Sequence, residues 1–201
     1  MAVLKTALLL SGGMDSVSIA YWKRPQLCIT IDYGQKPAAA ELRAASEVCS
    51  VLDIPHEIIR ADLSALGSGD LSGKAALDLA PVSEWWPYRN QMLITLAAMR
   101  AVGLGTQVLM IGALRTDNIH LDGTSKFVEA ISLLTKLQEG GLTVEAPAIE
   151  LDAVELVEKS QIPLEILSWA HSCHVSEFAC GLCRGCQKHY DTIKKLGRDP
   201  Y

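Results

Sequence analysis

The stretch that decides the fold is Leu8-Leu9-Leu10-Ser11-Gly12-Gly13-Met14-Asp15-Ser16. The apolar residues 7–10 predict a strand, and the residues that resume at Asp15 or Ser16 predict a helix directly after a tight loop. Because Gly12 and Gly13 carry no side chains, the amides of the loop are open to a ligand, and the positive end of the helix adds to them. The stretch therefore predicts a site for a phosphate or a pyrophosphate.

The loop differs from two common phosphate-binding motifs. A Walker A loop closes with Gly-Lys-Ser/Thr, and the dinucleotide fingerprint needs a third glycine; both are missing here. Ser-Gly-Gly-x-Asp-Ser after an N-terminal strand resembles instead the pyrophosphate-binding loop of the ATP pyrophosphatase superfamily. That resemblance implies an enzyme that cleaves ATP between the α and β phosphates. The plainer alternative is an ordinary strand-to-helix turn capped by Ser11 or Asp15.

Length and composition predict a single domain over residues 1–201. The chain has 201 residues, of which 49% are hydrophobic, enough for one sizeable core. Its net charge is −5 and its longest basic run is two residues, so we expect no nucleic-acid or membrane partner. The N-terminus lacks a signal-peptide pattern and no apolar run approaches the ~18 residues of a membrane span, which favours a cytoplasmic protein.

Strand patterns alternate with helix patterns along the chain. We expect strands at residues 7–10, 26–31, 56–60, 107–111 and 143–146. We expect helices from about 15 to 24, 37 to 52, 90 to 102, 125 to 137 and 152 to 159, and a long loop over 61–83. This alternation predicts an α/β fold with a doubly wound parallel sheet that binds ligands at the carboxyl ends of its strands.

Polar residues follow the second and fourth predicted strands. Asp32 and Tyr33 end the second strand, and Gly112 closes the fourth. Asp117 and Asp122 lie in the polar, turn-rich stretch that comes next. Since the carboxyl ends of parallel strands meet at one edge of a sheet, we expect these residues to lie near the first loop.

Four of the six cysteines crowd into 14 residues near the end of the chain: Cys173, Cys180, Cys183 and Cys186. The two-residue spacings let neighbouring thiolates reach one tetrahedral ion at about 2.3 Å. Four soft ligands favour zinc, and a four-thiolate site has no open position, so its role would be to fold the segment at about 171–190. An iron–sulfur cluster is the competing interpretation.

Taken together, the motifs resemble the 7-cyano-7-deazaguanine synthase family over the whole chain. They are Ser-Gly-Gly-x-Asp-Ser at 11–16, Asp32-Tyr33-Gly34-Gln35, Pro87-x-Arg89-Asn90, Ile111-Gly112, the four cysteines and Asp199-Pro200. The resemblance implies an adenine nucleotide alpha hydrolase-like fold and an ATP-dependent ligase. Such an enzyme adenylates 7-carboxy-7-deazaguanine, forms the amide with ammonia, and dehydrates the amide to the nitrile with a second ATP.

The resemblance also implies roles for individual residues. ATP would bind through Leu10, Ser11, Gly12, Gly13, Asp15, Ser16, Asp32, Tyr33 and Gly112. Asp15, beside the phosphates and Mg²⁺, and Arg89, against negative charge, would be catalytic. The carboxylate substrate would contact Arg89, Asn90, Asp117 and Asp122, and the four cysteines would bind Zn²⁺.

The plainer alternatives are structural. Arg89 would make a surface ion pair where a helix begins, Asp32 would cap a turn, and Tyr33 would pack in the core.

Two positions depart from the family. Where the synthases carry Tyr-Pro-Asp-Cys for the deazapurine, this chain reads Ile119-His120-Leu121-Asp122-Gly123. A family lysine is also missing near Ala153, and Arg115 or Lys126 are the candidates to replace its charge. These departures suggest a divergent branch, which would join this or another carboxylate to ammonia or to a different amine.

Two further interpretations stay open. The first is an ATP pyrophosphatase that inserts sulfur into tRNA, which the charge of −5 and the expected burial of Cys28 and Cys49 oppose. The second is a nucleotide-binding module without catalysis, which would never release pyrophosphate. A homodimer is compatible with Trp85, Trp86 and Trp169, since these side chains suit an interface as well as a core.

Overall fold

The computed structural model describes residues 5–198 and contains a five-stranded, fully parallel sheet. The strands are β1 (Thr6–Leu9), β2 (Leu27–Asp32), β3 (His56–Arg60), β4 (Val108–Met110) and β5 (Thr143–Glu145), in the order β3-β2-β1-β4-β5. The predicted α/β class and parallel sheet are therefore confirmed. The Asp199-Pro200 motif lies outside the described residues.

Eight α-helices connect and cover the strands in the described part of the chain. They are α1 (Met14–Lys23), α2 (Ala38–Leu52), α3 (Gly69–Ser72), α4 (Arg89–Gly103), α5 (Ser125–Lys136), α6 (Ala153–Ser160), α7 (Leu164–Leu167) and α8 (Arg184–Lys195). The stretch predicted as a long loop holds α3 and a 3₁₀ turn at Ser64–Leu66. Within residues 5–198, no helix has both the length and the apolar composition needed to cross a membrane.

The core lies on both faces of the sheet, because alternate strand residues point to opposite sides. One face buries Leu8 and Cys28 against helices that include α1, α2 and α6. The other face buries Ala7 and Ile29 against α4 and α5. Burial of the strands on both faces explains why they read as near-continuous apolar runs in the sequence.

The chain changes direction across the sheet at β1. It runs outward from β1 through β2 to β3, and then returns to place β4 on the opposite side of β1. The loops that follow β1 and β4 therefore diverge and leave a crevice at the carboxyl edge, which is the usual ligand site of such sheets.

Gly12 is packed too tightly to tolerate a side chain. Its φ is +77°, and a Cβ would lie 2.5 Å from the carbonyl oxygen of Glu41 in α2. We expect Gly12→Ala to destabilise the chain by about 1–2 kcal/mol through the left-handed backbone, with a similar further cost from overpacking. The free energy of unfolding in urea measures this loss.

Gly103→Ala is the matched control. Nothing lies within 4 Å of a Cβ at Gly103, the last residue of α4, so this variant should be as stable as the parent or up to about 1 kcal/mol more stable. Equal stability of the two alanine variants would contradict the close packing of the loop against α2.

Candidate functional site

A cleft of ≈ 340 Å³ opens at the carboxyl ends of β1 and β4. It brings together eleven residues that the sequence predicted for ATP or substrate: Leu10, Ser11, Gly13, Asp15, Ser16, Tyr33, Arg89, Asn90, Gly112, Asp117 and Asp122. Two other predicted residues, Gly12 and Asp32, do not line it.

Side-chain hydroxyls hold the loop after β1 in shape. Ser16 Oγ donates to the Gly13 carbonyl oxygen at 3.0 Å and lies 3.0 Å from Ser11 Oγ, which accepts from the Gly13 amide at 3.3 Å. No side chain caps the first turn of α1, so its amides remain available for an anion in the cleft. The loop has the form of a phosphate cradle.

The two predicted residues outside the cleft support the loop and the turn beside it. The Gly12 carbonyl accepts from the His171 amide at 2.9 Å, which attaches the C-terminal segment to the loop. Asp32 Oδ1 accepts from the Gly34 amide at 3.2 Å, so Asp32 caps the turn after β2. Neither residue lines the cleft in this structure, and their part in nucleotide binding stays a prediction.

A lysine that the sequence analysis did not single out lies between two of the predicted carboxylates. Lys188 Nζ is 2.8 Å from Asp15 Oδ2 and 3.3 Å from Asp117 Oδ1. Burial works to lower the pKa of Lys188, but the two carboxylates outweigh it and raise the pKa above its ordinary value. The ammonium therefore stays charged at neutral pH.

The two cations that the sequence suggested as replacements for the family lysine lie outside the cleft. Arg115 donates to the Glu150 carbonyl and to the Glu155 carboxylate, and Lys126 is exposed.

A second charged group forms another part of the wall. The carboxylate of Glu84, only 8% exposed, lies 2.9 Å from Arg184 Nη1 and 3.7 Å from His120 Nε2. Burial works to raise the pKa of Glu84, but His120, the backbone and Arg184 together lower it to about 2. Glu84 is therefore ionised and joins the loop after β4 to the start of α8.

Arg89 and Tyr33 meet on the wall formed by β2 and α4. Arg89 begins α4, and its Nε donates to Asn90 Oδ1 at 3.3 Å. Burial raises the pKa of the Tyr33 phenol, and the positive charge of Arg89 partly offsets that rise. The ring of Tyr33 also packs edge-on against Trp86 at 5.2 Å, so it is both a core residue and a cleft residue. Trp86 is buried in the core.

Glu41 also lines the cleft. Its carboxylate accepts a hydrogen bond from Gln35 at 2.7 Å, and burial raises its pKa to about 7.

The four cysteines form a compact cluster. Their Sγ atoms all lie within 4.8 Å of one another, and the Cys173–Cys183 and Cys180–Cys186 pairs are each 3.9 Å apart. Four sulfurs at about 2.3 Å from one tetrahedral ion would be about 3.8 Å apart, so the cluster fits a single metal ion.

Backbone amides surround the sulfurs as they do at metal-bound thiolates. Cys180 Sγ accepts from the amides of Leu182 and Cys183, and Cys183 Sγ accepts from those of His174 and Cys186. Such donors stabilise negative charge on the sulfurs.

The cysteine cluster and the cleft share the same short segments. Cys183 caps α8, and on the same helix Arg184 and Lys188, four residues apart, both reach the cleft. Gly185 lets the start of α8 pack closely against the backbone at Ser172, because a Cβ at this position would lie 2.0 Å from the Ser172 carbonyl oxygen. The i, i+4 spacing of the two basic residues after Cys183 was the sequence signal that could have revealed them.

The sequence matches a known protein family over nearly its whole length. The family model described as "Queuosine biosynthesis protein QueC" matches residues 5–197. The chain belongs to the QueC family. It is 32% identical to the 7-cyano-7-deazaguanine synthase of Caldicellulosiruptor bescii, over 98% of this chain and 96% of that protein. It is 24% identical to the enzyme of the same name from Methanococcus maripaludis, over 96% of both chains.

One solved structure resembles this QueC family member in fold. It is the U34-tRNA thiolase NcsA from Methanococcus maripaludis with its [4Fe-4S] cluster. The TM-score is 0.51 at 18% identity, and the match covers 96% of this chain and 65% of that one. The similarity supports the shared fold.

The cysteine cluster predicts a specific loss of bound metal. Cys183→Ser should reduce the metal content from one ion to less than about 0.1 per chain, because the loss of one thiolate opens the closed site. It should also lower the midpoint of thermal unfolding, since the N-terminal end of α8 loses its anchor. Elemental analysis and a melting curve measure the two effects. Cys49→Ala, outside the cluster, should keep its metal; equal metal content in both variants would contradict the site.

Proposed function

We propose that this chain is an ATP-dependent carbon–nitrogen ligase that makes 7-cyano-7-deazaguanine from 7-carboxy-7-deazaguanine and ammonia. The observation that carries the proposal is the cleft itself. On one side of the cleft lie the uncapped start of α1 and the serine-lined loop, both of which suit phosphates. On the other side lie arginines and acidic residues that suit a substrate. The names of the relatives point to 7-cyano-7-deazaguanine as the product. The resemblance of the motifs to that family implies 7-carboxy-7-deazaguanine as the carboxylate.

The first step is adenylation of the carboxylate. One carboxylate oxygen attacks the α-phosphorus of ATP, the bond from that phosphorus to the oxygen bridging to the β-phosphate breaks, and pyrophosphate leaves with the electron pair. The loop from Ser11 to Ser16 binds the pyrophosphate through its amides. Arg89 offsets charge where the two anionic reactants approach each other.

Magnesium fits the oxygens beside the loop. Asp15 and Asp117 both line the cleft, and carboxylate oxygens are the ligands that Mg²⁺ prefers. When bound with ATP, the ion draws charge from the phosphates and makes pyrophosphate a better leaving group.

Two further reactions complete the conversion to the nitrile. Ammonia attacks the carbonyl carbon of the acyl-adenylate, AMP leaves, and the nitrogen gives up a proton to form the amide. The amide oxygen then attacks the α-phosphorus of a second ATP and releases pyrophosphate. Loss of AMP and of the remaining N–H protons leaves the nitrile. Asn90 and Asp122 supply polar contacts for the substrate in this pocket.

The cysteine cluster is proposed to hold Zn²⁺ as a structural ion. Four thiolates fill all four positions of a tetrahedral zinc ion, so the site holds the C-terminal segment and takes no part in the chemistry. A [4Fe-4S] cluster, as in the structural neighbour, is the alternative. It binds its cysteines through separate irons, so the close spacing of these sulfurs favours one ion.

The substrates are proposed to be small molecules only, in the cytoplasm. The net charge of −5 gives no support for a nucleic-acid partner. Cys28 and Cys49 are buried in β2 and α2, and the other four cysteines form the cluster, so the described chain offers no accessible free cysteine as a sulfur carrier for a tRNA thiolase. A homodimer stays a prediction, with the 47% exposed Trp169 a candidate contact.

Mass spectrometry tests the reaction and its substrate. With 7-carboxy-7-deazaguanine, ATP, Mg²⁺ and ammonia, we expect a product about one mass unit lighter, the amide, and then the nitrile after further loss of water. Pyrophosphate should appear with both steps. Pyrophosphate release without either deazaguanine product would contradict the proposed substrate and indicate a different carboxylate or amine.

Loss of the loop carboxylate should stop turnover without unfolding the chain. Asp15→Ala should lower the rate of pyrophosphate release by at least about 10²-fold, because the phosphates and Mg²⁺ lose a contact in the cleft. Asp78→Ala, which removes an exposed carboxylate elsewhere, is the control and should keep the parent rate. A parent-like rate for Asp15→Ala would remove the loop from the mechanism.

A further inference from the structure

The C-terminal helix delivers a lysine directly to the phosphate-binding loop. Lys188 reaches Asp15 of the loop and Asp117 of the segment after β4, at 2.8 and 3.3 Å. Its side chain is 38% exposed and lines the cleft. Helix α8 therefore extends the cleft beyond the loop and the strand ends, and its ammonium contacts both carboxylates.

The two arginines that line the described cleft have their hydrogen-bond partners away from the phosphate-binding loop. Arg184 forms an ion pair with Glu84 at 2.9 Å. Arg89 donates a hydrogen bond to Asn90, and its positive charge works to lower the pKa of Tyr33 against the effect of burial. Lys188 is the cation that contacts the loop itself. A lysine suits this place because its ammonium is a point charge on a flexible stem, which can exchange one oxygen partner for another.

Charge balance explains why a lysine is needed between these carboxylates. Asp15 and Asp117 would carry two negative charges beside a loop that receives a polyanion. In the nucleotide-free chain the ammonium offsets one of them. Mg²⁺ that arrives with ATP prefers the same carboxylate oxygens, so the ion and the ammonium compete for one place.

We propose that Lys188 is a catalytic residue of the adenylation step; this inference rests on the proposed function. In the nucleotide-free chain its ammonium contacts both Asp15 and Asp117 and offsets one of their two negative charges. When ATP binds, Asp15 and Asp117 would hold Mg²⁺, and the ammonium of Lys188, released from these carboxylates, would contact the oxygen between the α- and β-phosphates. As the bond from the α-phosphorus to this oxygen breaks, the electron pair stays with pyrophosphate, and Lys188 offsets the new charge.

The position of Lys188 on α8 connects the cysteine cluster to the proposed catalytic step. Helix α8 begins next to Cys183, and Lys188 is only five residues further along, in the second turn. An ion in the cluster would fix the start of the helix, and with it the position of the ammonium. The metal would support catalysis by positioning this lysine.

Lys188→Met tests the competition for the carboxylates without using catalysis. Mn²⁺ alone, added to the nucleotide-free chain and followed by electron paramagnetic resonance, serves as the probe for Mg²⁺. With the ammonium gone, Mn²⁺ should bind at least about tenfold more tightly than to the parent. Lys194→Met removes an exposed lysine from the same helix and should bind Mn²⁺ like the parent. Parent-like Mn²⁺ binding by Lys188→Met would overturn the exchange.

The same variant tests the contact with the phosphates. Lys188→Met should bind Mg–ATP about tenfold more weakly and release pyrophosphate about 10²–10³-fold more slowly. Lys188→Arg should recover part of this loss. Zinc content equal to the parent excludes misfolding as the cause. ATP affinity and turnover of Lys188→Met within threefold of the parent would overturn the assignment.

The two proposals fail separately. If the parent chain forms no pyrophosphate with 7-carboxy-7-deazaguanine, the proposed function fails. The Mn²⁺ and Mg–ATP binding measurements need no carboxylate, so they still decide the place of Lys188. If the parent releases pyrophosphate and Lys188→Met does so equally well, only the inference about Lys188 fails.

Discussion

The close contact at Gly12 is the constraint on which the rest of the site depends. Its left-handed backbone lets the loop pass against α2, where a Cβ would collide with the Glu41 carbonyl. Its own carbonyl receives the amide of His171, so the C-terminal segment is attached at the same residue. Gly12 therefore sets the distance between the sheet, α2 and the part of the chain that carries the cysteines.

From this point the cleft is assembled from parts far apart in sequence. The loop and the strand ends supply a floor with open amides, and α8 supplies Lys188 and Arg184 from the opposite side. Cys183 caps α8, so the cysteine cluster decides where these two cations lie. The segment that carries the four cysteines is thus a wall of the cleft.

Local pattern was sufficient to predict the sheet. Strands buried on both faces have a distinct apolar signature. β3 was predicted to the residue at His56–Arg60, and the ends of the other strands differ from the prediction by at most one residue. Helix α8 was missed because its sequence is mostly polar and its stability comes from the cysteine cluster and a few buried contacts, such as Ile193. Its polar and apolar residues do repeat with the period of a helix, but few of the buried ones are large and apolar, so this signal was overlooked.

Residues of the cleft were predicted where they belong to a short sequence motif. They were missed where the fold brings them to the cleft from distant parts of the chain. The loop, Arg89 and the strand-end acids were found because parallel strands bring their carboxyl ends together. Asp32 follows the same rule, yet its carboxylate is used by the turn. Glu84 and Lys188 carry no motif of their own, and their place in the cleft became visible only through the partners that the fold brings to them.

The central claim is that a substrate carboxylate attacks the α-phosphorus of ATP in this cleft. Transfer of ¹⁸O tests it most directly, with 7-carboxy-7-deazaguanine labelled in its carboxylate and AMP analysed by mass spectrometry. The account predicts that AMP from the first turnover carries one ¹⁸O, which it can obtain only from the substrate. Unlabelled AMP, or label in inorganic phosphate instead, would contradict it.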